Sequence, residues 1–418
     1  MPPWRFVHAA DLHLDSPFVG LRDLQADLAR ELMEATFTSF QRIVDLCLET
    51  RAEFLLLAGD LFDRPQGTLK AQLHLRRELE RLAAAGIETF LVHGNHDHLG
   101  GRGVTLEWPA AVTVFPAQQV ELAEVRRRGE TLARIYGLSH AGPGESANLT
   151  PRFSPASRGP FTVGLLHANL DRNSEHDNYA PCTLADLARL SYDYWALGHI
   201  HRPGVRRDSQ PAVVYAGNPQ GRHLKEAGPR GCYLVEVDGH QANPRFQATG
   251  PIGWEEVPVD ISGLEKVDQV LAALQKLVED QRPEAPQQGT VWRLALQGRG
   301  PVHRELKPSG VLDDLLQELR RQGRSMNPWV WVEALSAETA PDFDLTALSQ
   351  GQNLAATLLS HLGEARENPT LPPEVQKILD PLFNHHVARH YLPPAPGWPE
   401  ILDEVTSELL NRLLKAED

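Results

Sequence analysis

The sequence predicts an α/β protein, and two observations carry that prediction. Short continuous apolar runs alternate with amphipathic stretches through residues 1–245, and at the end of each run, or just after it, a cluster of Asp, Asn or His begins. Uninterrupted apolar runs of this length belong to strands buried on both faces. Polar residues at the carboxyl ends of such strands lie where open α/β sheets keep their sites.

The elements follow in order. A strand over residues 6–10 runs into Asp11-Leu-His13, and a helix over 21–49 carries Leu24, Leu28 and Leu32, then Phe40, Val44, Cys47 and Leu48, at helical spacing. A strand over 54–58 leads into Gly59-Asp60-Leu-Phe-Asp63-Arg64, and helical spacing returns over 69–85. The run 89–93 precedes Gly94-Asn95-His96-Asp97, 161–166 precedes His167, and 194–197 precedes Gly198-His199-Ile-His201. Around residue 245 the pattern changes. Residues 254–260 and 291–296 alternate like half-exposed strands, 267–278 and 312–321 read as helices, 329–333 as a further strand, and 281–289 as an exposed loop. From residue 341 the chain reads as helical with Pro-rich interruptions at 371–373 and 392–399. A last amphipathic helix over 400–416 carries Leu402, Val405, Leu409 and Leu413 on one face and suits docking on its own protein or on a partner. These shifts divide the chain into residues 1–245, a small α+β domain over 246–338, and a helical region over 339–418.

A chain of 418 residues exceeds what one hydrophobic core usually serves. The amino terminus lacks the charged and apolar segments of a secretory signal and no stretch approaches eighteen apolar residues, so a cytoplasmic protein with no membrane association is expected. Three cysteines without CxxC spacing argue against a disulfide framework or structural zinc and read as small buried residues. The net charge of −14 is unevenly spread. Residues 251–418 hold 15 Lys+Arg against 26 Asp+Glu, whereas residues 1–250 hold 26 against 29. The window 201–250 is net positive, with Arg202, Arg206, Arg207, Arg222, Lys225, Arg230 and Arg245 against four acids, and it begins at the last His cluster. A locally basic surface is compatible with the acidic total.

The clusters supply Asp11, His13, Asp60, Asn95, His167, His199 and His201, a donor set suited to two divalent ions. Asp11 and His13, one residue apart, can converge on one ion, and the Asp60 carboxylate can bridge two. Imidazole and carboxylate without thiolate disfavour copper(I) and iron–sulfur chemistry and suit Mn²⁺, Fe²⁺ or Zn²⁺. Mn²⁺ is the expected metal, because Mg²⁺ prefers an all-oxygen shell. Paired ions of this kind typically serve attack on phosphate esters. Any one cluster is weak by itself; five in sequence at strand ends are not.

The motifs DLH, GDLFDR, GNHD, a lone His after a strand and GHIH resemble the signatures of the calcineurin-like metallophosphoesterases over roughly residues 1–245. Within that superfamily, residues 10–14, 59–63 and 196–201 resemble the SbcD-like DNA repair exonucleases, and residues 215–223 and 225–237 resemble the YhaO-type branch. The resemblance implies a four-layer sandwich of two β-sheets flanked by helices, followed by a capping domain. It implies that Asp11, His13, Asp60 and His201 hold one metal, and that Asp60, Asn95, His167 and His199 hold the other, with Asp60 bridging. His96 is then the proton donor to the leaving oxygen and Asp63 the carboxylate that pairs with it, at a position where some nucleases of this kind have His. Arg64, Arg202, Arg222 and His223 are candidates for contact with substrate phosphate, while Asp97 reads as a residue that caps backbone. The implied activity is a Mn²⁺-dependent DNA nuclease, exonuclease and also endonuclease. Its implied partners are DNA, an SbcC-like (SMC-like) ATPase subunit and a second copy of the chain. No P-loop occurs in the sequence, so ATP use falls to another subunit. The same ligands serve phosphomonoesters, phosphoproteins or cyclic nucleotides, and the intact ligand set argues against a non-catalytic scaffold.

Overall fold

The computed structural model describes residues 2–18, 26–100, 106–157, 159–171, 177–281, 287–340, 345–351 and 353–366, with Asp342 and isolated positions beyond 366. The chain divides into two compact units. The first holds Met1–Ile261, Lys266–Gln297 and Glu305–Glu338, and the second holds Ser262–Glu265, Gly298–Arg304 and Thr339–Asp418.

The first elements of the chain are β1 (Trp4–Ala9), α1 (Ala26–Thr50), β2 (Phe54–Ala58), α2 (Leu69–Ala84), β3 (Glu88–Val92), β4 (Val112–Val114), β5 (Glu121–Arg127) and β6 (Glu130–Leu138). They are followed by β7 (Phe161–His167), α3 (Leu184–Ala188), β8 (Tyr194–Gly198), β9 (Gly204–Arg207), β10 (Ala212–Tyr215), β11 (Gly231–Asp238) and β12 (Gln241–Ala248). One six-stranded sheet has the order β12-β11-β1-β2-β3-β4 and the other β5-β6-β7-β8-β10-β9. In both, the central strands run parallel and an antiparallel pair closes an edge.

Alternation along each strand explains the layering, because successive side chains leave opposite faces. Phe6, Phe54, Leu56 and Phe90 from the first sheet meet Val163, Leu165, Tyr194 and Val214 from the second in one buried core. The ring of Phe6 stacks on Phe54 at 4.9 Å and meets Tyr194 edge-on at 5.2 Å, geometries that aromatic pairs favour. The intervening residues Val7, Leu55, Leu57 and Leu91 face outward onto Phe40, Val44, Leu75 and Leu79 of α1 and α2. On the far side of the second sheet, Leu166, Trp195, Leu197 and Val213 pack with Leu187 of α3 and with Leu149 and Phe153. The result is the predicted mixed α/β arrangement of two large sheets flanked by helices.

The five apolar runs are strands within two residues of their expected bounds, and the helix expected over 21–49 starts, among described residues, at Ala26. Strands β4–β6 and β9–β12 escaped the sequence reading. Charge interrupts β5, β6, β9, β11 and β12, as in Glu121–Arg127, whereas β4 and β10 are uncharged but only three and four residues long.

Further along lie β13 (Ile252–Asp260), α4 (Val267–Asp280), β14 (Gly289–Arg299), α5 (His303–Leu306), α6 (Val311–Arg324) and β15 (Trp329–Ala340), whose strands form a sheet in the order β13-β14-β15. Residues 291–296, expected to be half-exposed, are almost wholly buried, because β14 is the central strand. Trp254, Trp292, Trp329 and Trp331 are all buried. In the first unit, Ile252, Trp254, Val291, Trp329 and Trp331 pack on Leu28, Leu32 and Ala35 of α1. The second unit includes α7 (Leu345–Ser349) and α8 (Leu354–Arg366). The Pro-rich interruptions and most of the helix expected over 400–416 lie outside the described residues. The three cysteines are free and buried.

Candidate metal centre

Backbone geometry at the strand ends aims the polar side chains. Asp11, His13, Asp60 and His199 are four of the ten non-glycine residues with positive φ among those described. Each such position costs on the order of 1–3 kcal/mol and persists only where the surroundings over-determine it. Surrounding hydrogen bonds do so here. Asp11 N donates to Gly59 O at 2.9 Å, His13 N to Asp60 O at 3.1 Å and Leu14 N to Leu61 O at 2.9 Å, so the loops after β1 and β2 run alongside each other. The Asp97 carboxylate accepts from the backbone N–H groups of Asp60, Leu61 and Gly94 at 3.2, 2.9 and 2.7 Å, which joins the loops after β2 and β3 and matches its expected capping role. Gly94 allows a close approach, since a Cβ there would collide with the Asp60 carboxylate and with His167.

Two groups of side chains offer converging ligand atoms within 4.8 Å of one another, Asp11 with His13 and His201, and Asp11 with Asp60 and His167. The carboxylate common to both is Asp11, whereas the resemblance assigned the bridge to Asp60. Asp60 Oδ1 accepts from His96 N at 3.0 Å, and its Oδ2 lies 3.4 Å from His167 Nε2. Asn95 Oδ1 is 3.0 Å from the same nitrogen. His199 belongs to neither group, although its backbone N–H donates to the Asp11 carboxylate at 3.0 and 3.2 Å. Its ring centroid is 5.3 Å from that of His167, but its Nε2 is 2.8 Å from the carbonyl of Asp177.

The tautomers implied by these contacts test whether the donors suit a cation. His13 Nδ1 lies 2.5 Å from Asp63 Oδ1 and His201 Nδ1 lies 2.5 Å from Glu226 Oε1, so each ring keeps a proton on the nitrogen facing its carboxylate. Their Nε2 atoms face each other at 3.1 Å. In neutral rings these are two lone pairs, which repel unless positive charge lies between them. His167 repeats the pattern: Nδ1 is held by Ala58 O at 2.9 Å, leaving Nε2 toward two oxygens. The donor set therefore fits divalent ions.

Electrostatics agree. Burial, followed by the nearby Arg222 charge, lowers His13 to about 4. Burial would also lower His167, but the Asp60 carboxylate outweighs it and raises the ring to about 9. Burial pushes the Asp11 carboxyl up, against the pull of His167 and His201. The neutral His13 ring keeps a lone pair for a cation, and the carboxylates around His167 favour positive charge beside them, which divalent ions would supply.

Asp63 departs from expectation. The resemblance paired it with His96, yet its carboxylate contacts His13, the Ser16 hydroxyl and Arg222. The parallel course of the loops after β1 and β2 is the cause, since it sets Asp63 beside the His13 ring. His96 is exposed, with its ring 5.3 Å from that of His13 in an edge-on arrangement. Arg64 and Arg202 are exposed. Arg222 is largely buried, its guanidinium 3.1 Å from Asp63 and 3.7 Å from Glu226. His223 Nε2 lies 3.6 Å from Glu226. Arg202, Arg222, His223 and Lys225 share with His201 a cavity of about 1030 Å³.

One supporting residue escaped the sequence reading, and a second, Arg230, was read there only as part of a basic surface. Glu226 is buried, and although burial would raise its carboxyl, the hydrogen bond from His201 and the Arg222 charge hold it well below the usual carboxylate range. Arg230, also buried, donates to Asn218 Oδ1 at 2.8 Å and to the carbonyls of Glu226 and Ala227 at 2.9 Å. The available signal was a lone acid among Arg222, His223, Lys225 and Arg230.

Comparison with known proteins adds the family. The sequence model of the calcineurin-like phosphoesterases matches residues 5–203, and that of the metallophosphoesterase YhaO middle domain matches residues 254–340. The metallophosphoesterase YhaO of Bacillus subtilis (strain 168) is 39% identical over 345 residues, covering 82% of this chain and 84% of that protein. The DNA double-strand break repair protein Mre11 of Aeropyrum pernix is 30% identical over 253 residues, and that of Sulfurisphaera tokodaii 25% over 228. These matches cover 56% and 52% of this chain and only 58% and 54% of those proteins. Carried by the extended YhaO match and by Asp/His groups at the strand ends, the assignment is that this chain belongs to the calcineurin-like metallophosphoesterases, which bind divalent metals.

Proposed function

We propose that the protein is a Mn²⁺-dependent DNA nuclease, acting as an exonuclease and as an endonuclease on phosphodiester bonds in cytoplasmic DNA repair, with an SbcC-like ATPase as partner. The observation that carries the reading is the pair of Asp/His groups sharing Asp11 beside a cavity with several cationic residues. The similarity to Mre11 proteins supports DNA as the ester. Asp11, His13 and His201 would hold one ion, and Asp11, Asp60, Asn95 and His167 the other, with His199 adjoining. Bound there, the two ions would supply electrophilic activation of the phosphate and a water of lowered pKa.

The remaining work falls to the chain. His96, exposed and with its ring next to that of His13, would give a proton to the leaving oxygen. Asp97 holds the loop that carries it. Arg202 and Lys225 offer the phosphate-binding charge that dominates nucleic-acid affinity, and His223 lines the same cavity as a neutral hydrogen-bonding ring. Among the described residues no helix is long and apolar enough to cross a membrane.

The test is incubation of end-labelled single- and double-stranded DNA with Mn²⁺, Mg²⁺ or EDTA, read by product size and end chemistry. Cleavage is expected with Mn²⁺, less with Mg²⁺ and none with EDTA. Intact DNA alongside rapid turnover of small phosphate monoesters would replace the nuclease by a phosphatase.

A further inference from the structure

We infer that Asp63, Arg222 and Glu226 form a clamp that sets the rings of His13 and His201, with Arg222 as its central positioning residue. The inference rests on the metal site proposed above and assigns it a support that sequence motifs do not show. Asp63 and Glu226 each face the outer nitrogen of one imidazole at 2.5 Å, and those imidazoles present their other nitrogens to one point, 3.1 Å apart. Between the carboxylates lies one guanidinium. Arg222 Nη1 is 3.1 and 3.4 Å from the two oxygens of Asp63, Nη2 is 3.7 Å from Glu226 Oε1, and the Arg222 backbone N–H donates to Glu226 Oε2 at 2.8 Å. A continuous chain therefore runs His13–Asp63–Arg222–Glu226–His201.

Its chemistry is specific. The Glu226 carboxylate accepts from the His201 N–H and Asp63 lies in ion-pair contact with His13 Nδ1; carboxylates so placed raise the basicity of the opposite nitrogens and hold the ring planes. They also repel each other, and a cation between them removes the repulsion. Arg suits the place because its planar fork presents separate N–H groups to two acceptors, whereas a Lys ammonium is a single point of charge. The segment bearing Arg222 and Glu226 is itself pinned. Trp254 Nε1 donates to Gly221 O at 2.9 Å, and Gln220 exchanges hydrogen bonds with the backbone of Ile252 in both directions, at 2.9 and 3.1 Å. Strand β13 thus steadies the clamp from the side away from the ligands, and Arg222, which the sequence offered as a substrate contact, has its charge committed to two carboxylates.

The test is calorimetric titration of Mn²⁺ into the full-length wild type, Arg222→Gln, Arg222→Lys, Glu226→Gln and the double variant Arg222→Gln/Glu226→Gln, each shown by circular dichroism in EDTA to be folded. The same proteins are assayed for KM and kcat on bis(p-nitrophenyl) phosphate. Arg222→Gln and Glu226→Gln are each expected to weaken Mn²⁺ binding by about 10–100-fold. Arg222→Lys should recover only part of the loss, and the double variant should lose little more than either single one. Glu226→Gln keeps an acceptor for His201 and so reports on the clamp even if Arg222→Gln does not fold. Wild-type Mn²⁺ affinity in Arg222→Gln with a raised KM would overturn the clamp and make Arg222 a substrate contact, as would losses that simply add in the double variant. Failure of the wild type to bind Mn²⁺ would instead overturn the metal site itself, and the clamp with it.

Discussion

The strands before residue 250 and those after it are built from similar apolar material but end differently. Among the described residues, all the buried polar or charged side chains but Thr290 come from residues 8–249. The ends of β1, β2, β7 and β8 meet buried Asp and His, whereas β13, β14 and β15 contribute tryptophan, valine and leucine to their cores. Burying an ionisable group costs several kcal/mol unless it is paired. A fold concentrates such groups in one place when charge is to be held there. The contrast separates a region organised around a binding task from one organised around packing.

The largest expected effect that sharpens this contrast is on catalysis. His96→Ala should lower kcat for DNA or bis(p-nitrophenyl) phosphate by about 10²–10⁴-fold, the usual cost of removing a general acid. The variant should retain its metals, because His96 lies outside both ligand groups. Undiminished cleavage in steady-state assays would remove His96 from the mechanism. After residue 250 the corresponding effect is on stability alone. Leu294→Ala, at a wholly buried position in β14, should cost about 2–5 kcal/mol in urea denaturation, with Mn²⁺ stoichiometry unchanged in the folded protein. Loss of metal in that folded variant would erase the distinction between the regions.

A smaller effect concerns acid. Burial lowers His8 from 6.5 to about 3, with the Leu197 backbone carbonyl, an acceptor for the protonated ring, opposing. His8 is therefore neutral when folded, and the unfolded chain binds the additional proton as pH falls below about 6.5. Stability contributed by the neutral ring should fall from there toward pH 3, by on the order of 2 kcal/mol at pH 5. Denaturation midpoints between pH 7 and 5 should decline less steeply in His8→Gln than in the wild type. Equal slopes would show that His8 is not buried neutral.

The same contrast explains what could be read in the sequence. Strands buried on both faces announce themselves as apolar runs, and polar clusters at their ends as short motifs, so β1, β2, β3, β7 and β8 were legible, as was the convergence of Asp11, His13, Asp60, His167 and His201. Edge strands such as β5 and β9 carry charge toward solvent and were not. The supports of the site were harder still. Glu226 is 25 residues from His201 and acts through a contact that only folding creates, and Asp63 was visible as a motif residue but was matched to the wrong imidazole. Motifs record which side chains converge, whereas their partners depend on which loops run side by side.

Equilibrium binding of Mn²⁺ to the wild type and to Asp11→Ala tests the central claim most directly. Asp11 is the carboxylate common to both groups. The account predicts two ions per wild-type chain and loss of both from tight binding in folded Asp11→Ala. No bound Mn²⁺ in the wild type, or two tightly bound ions in the variant, would contradict it.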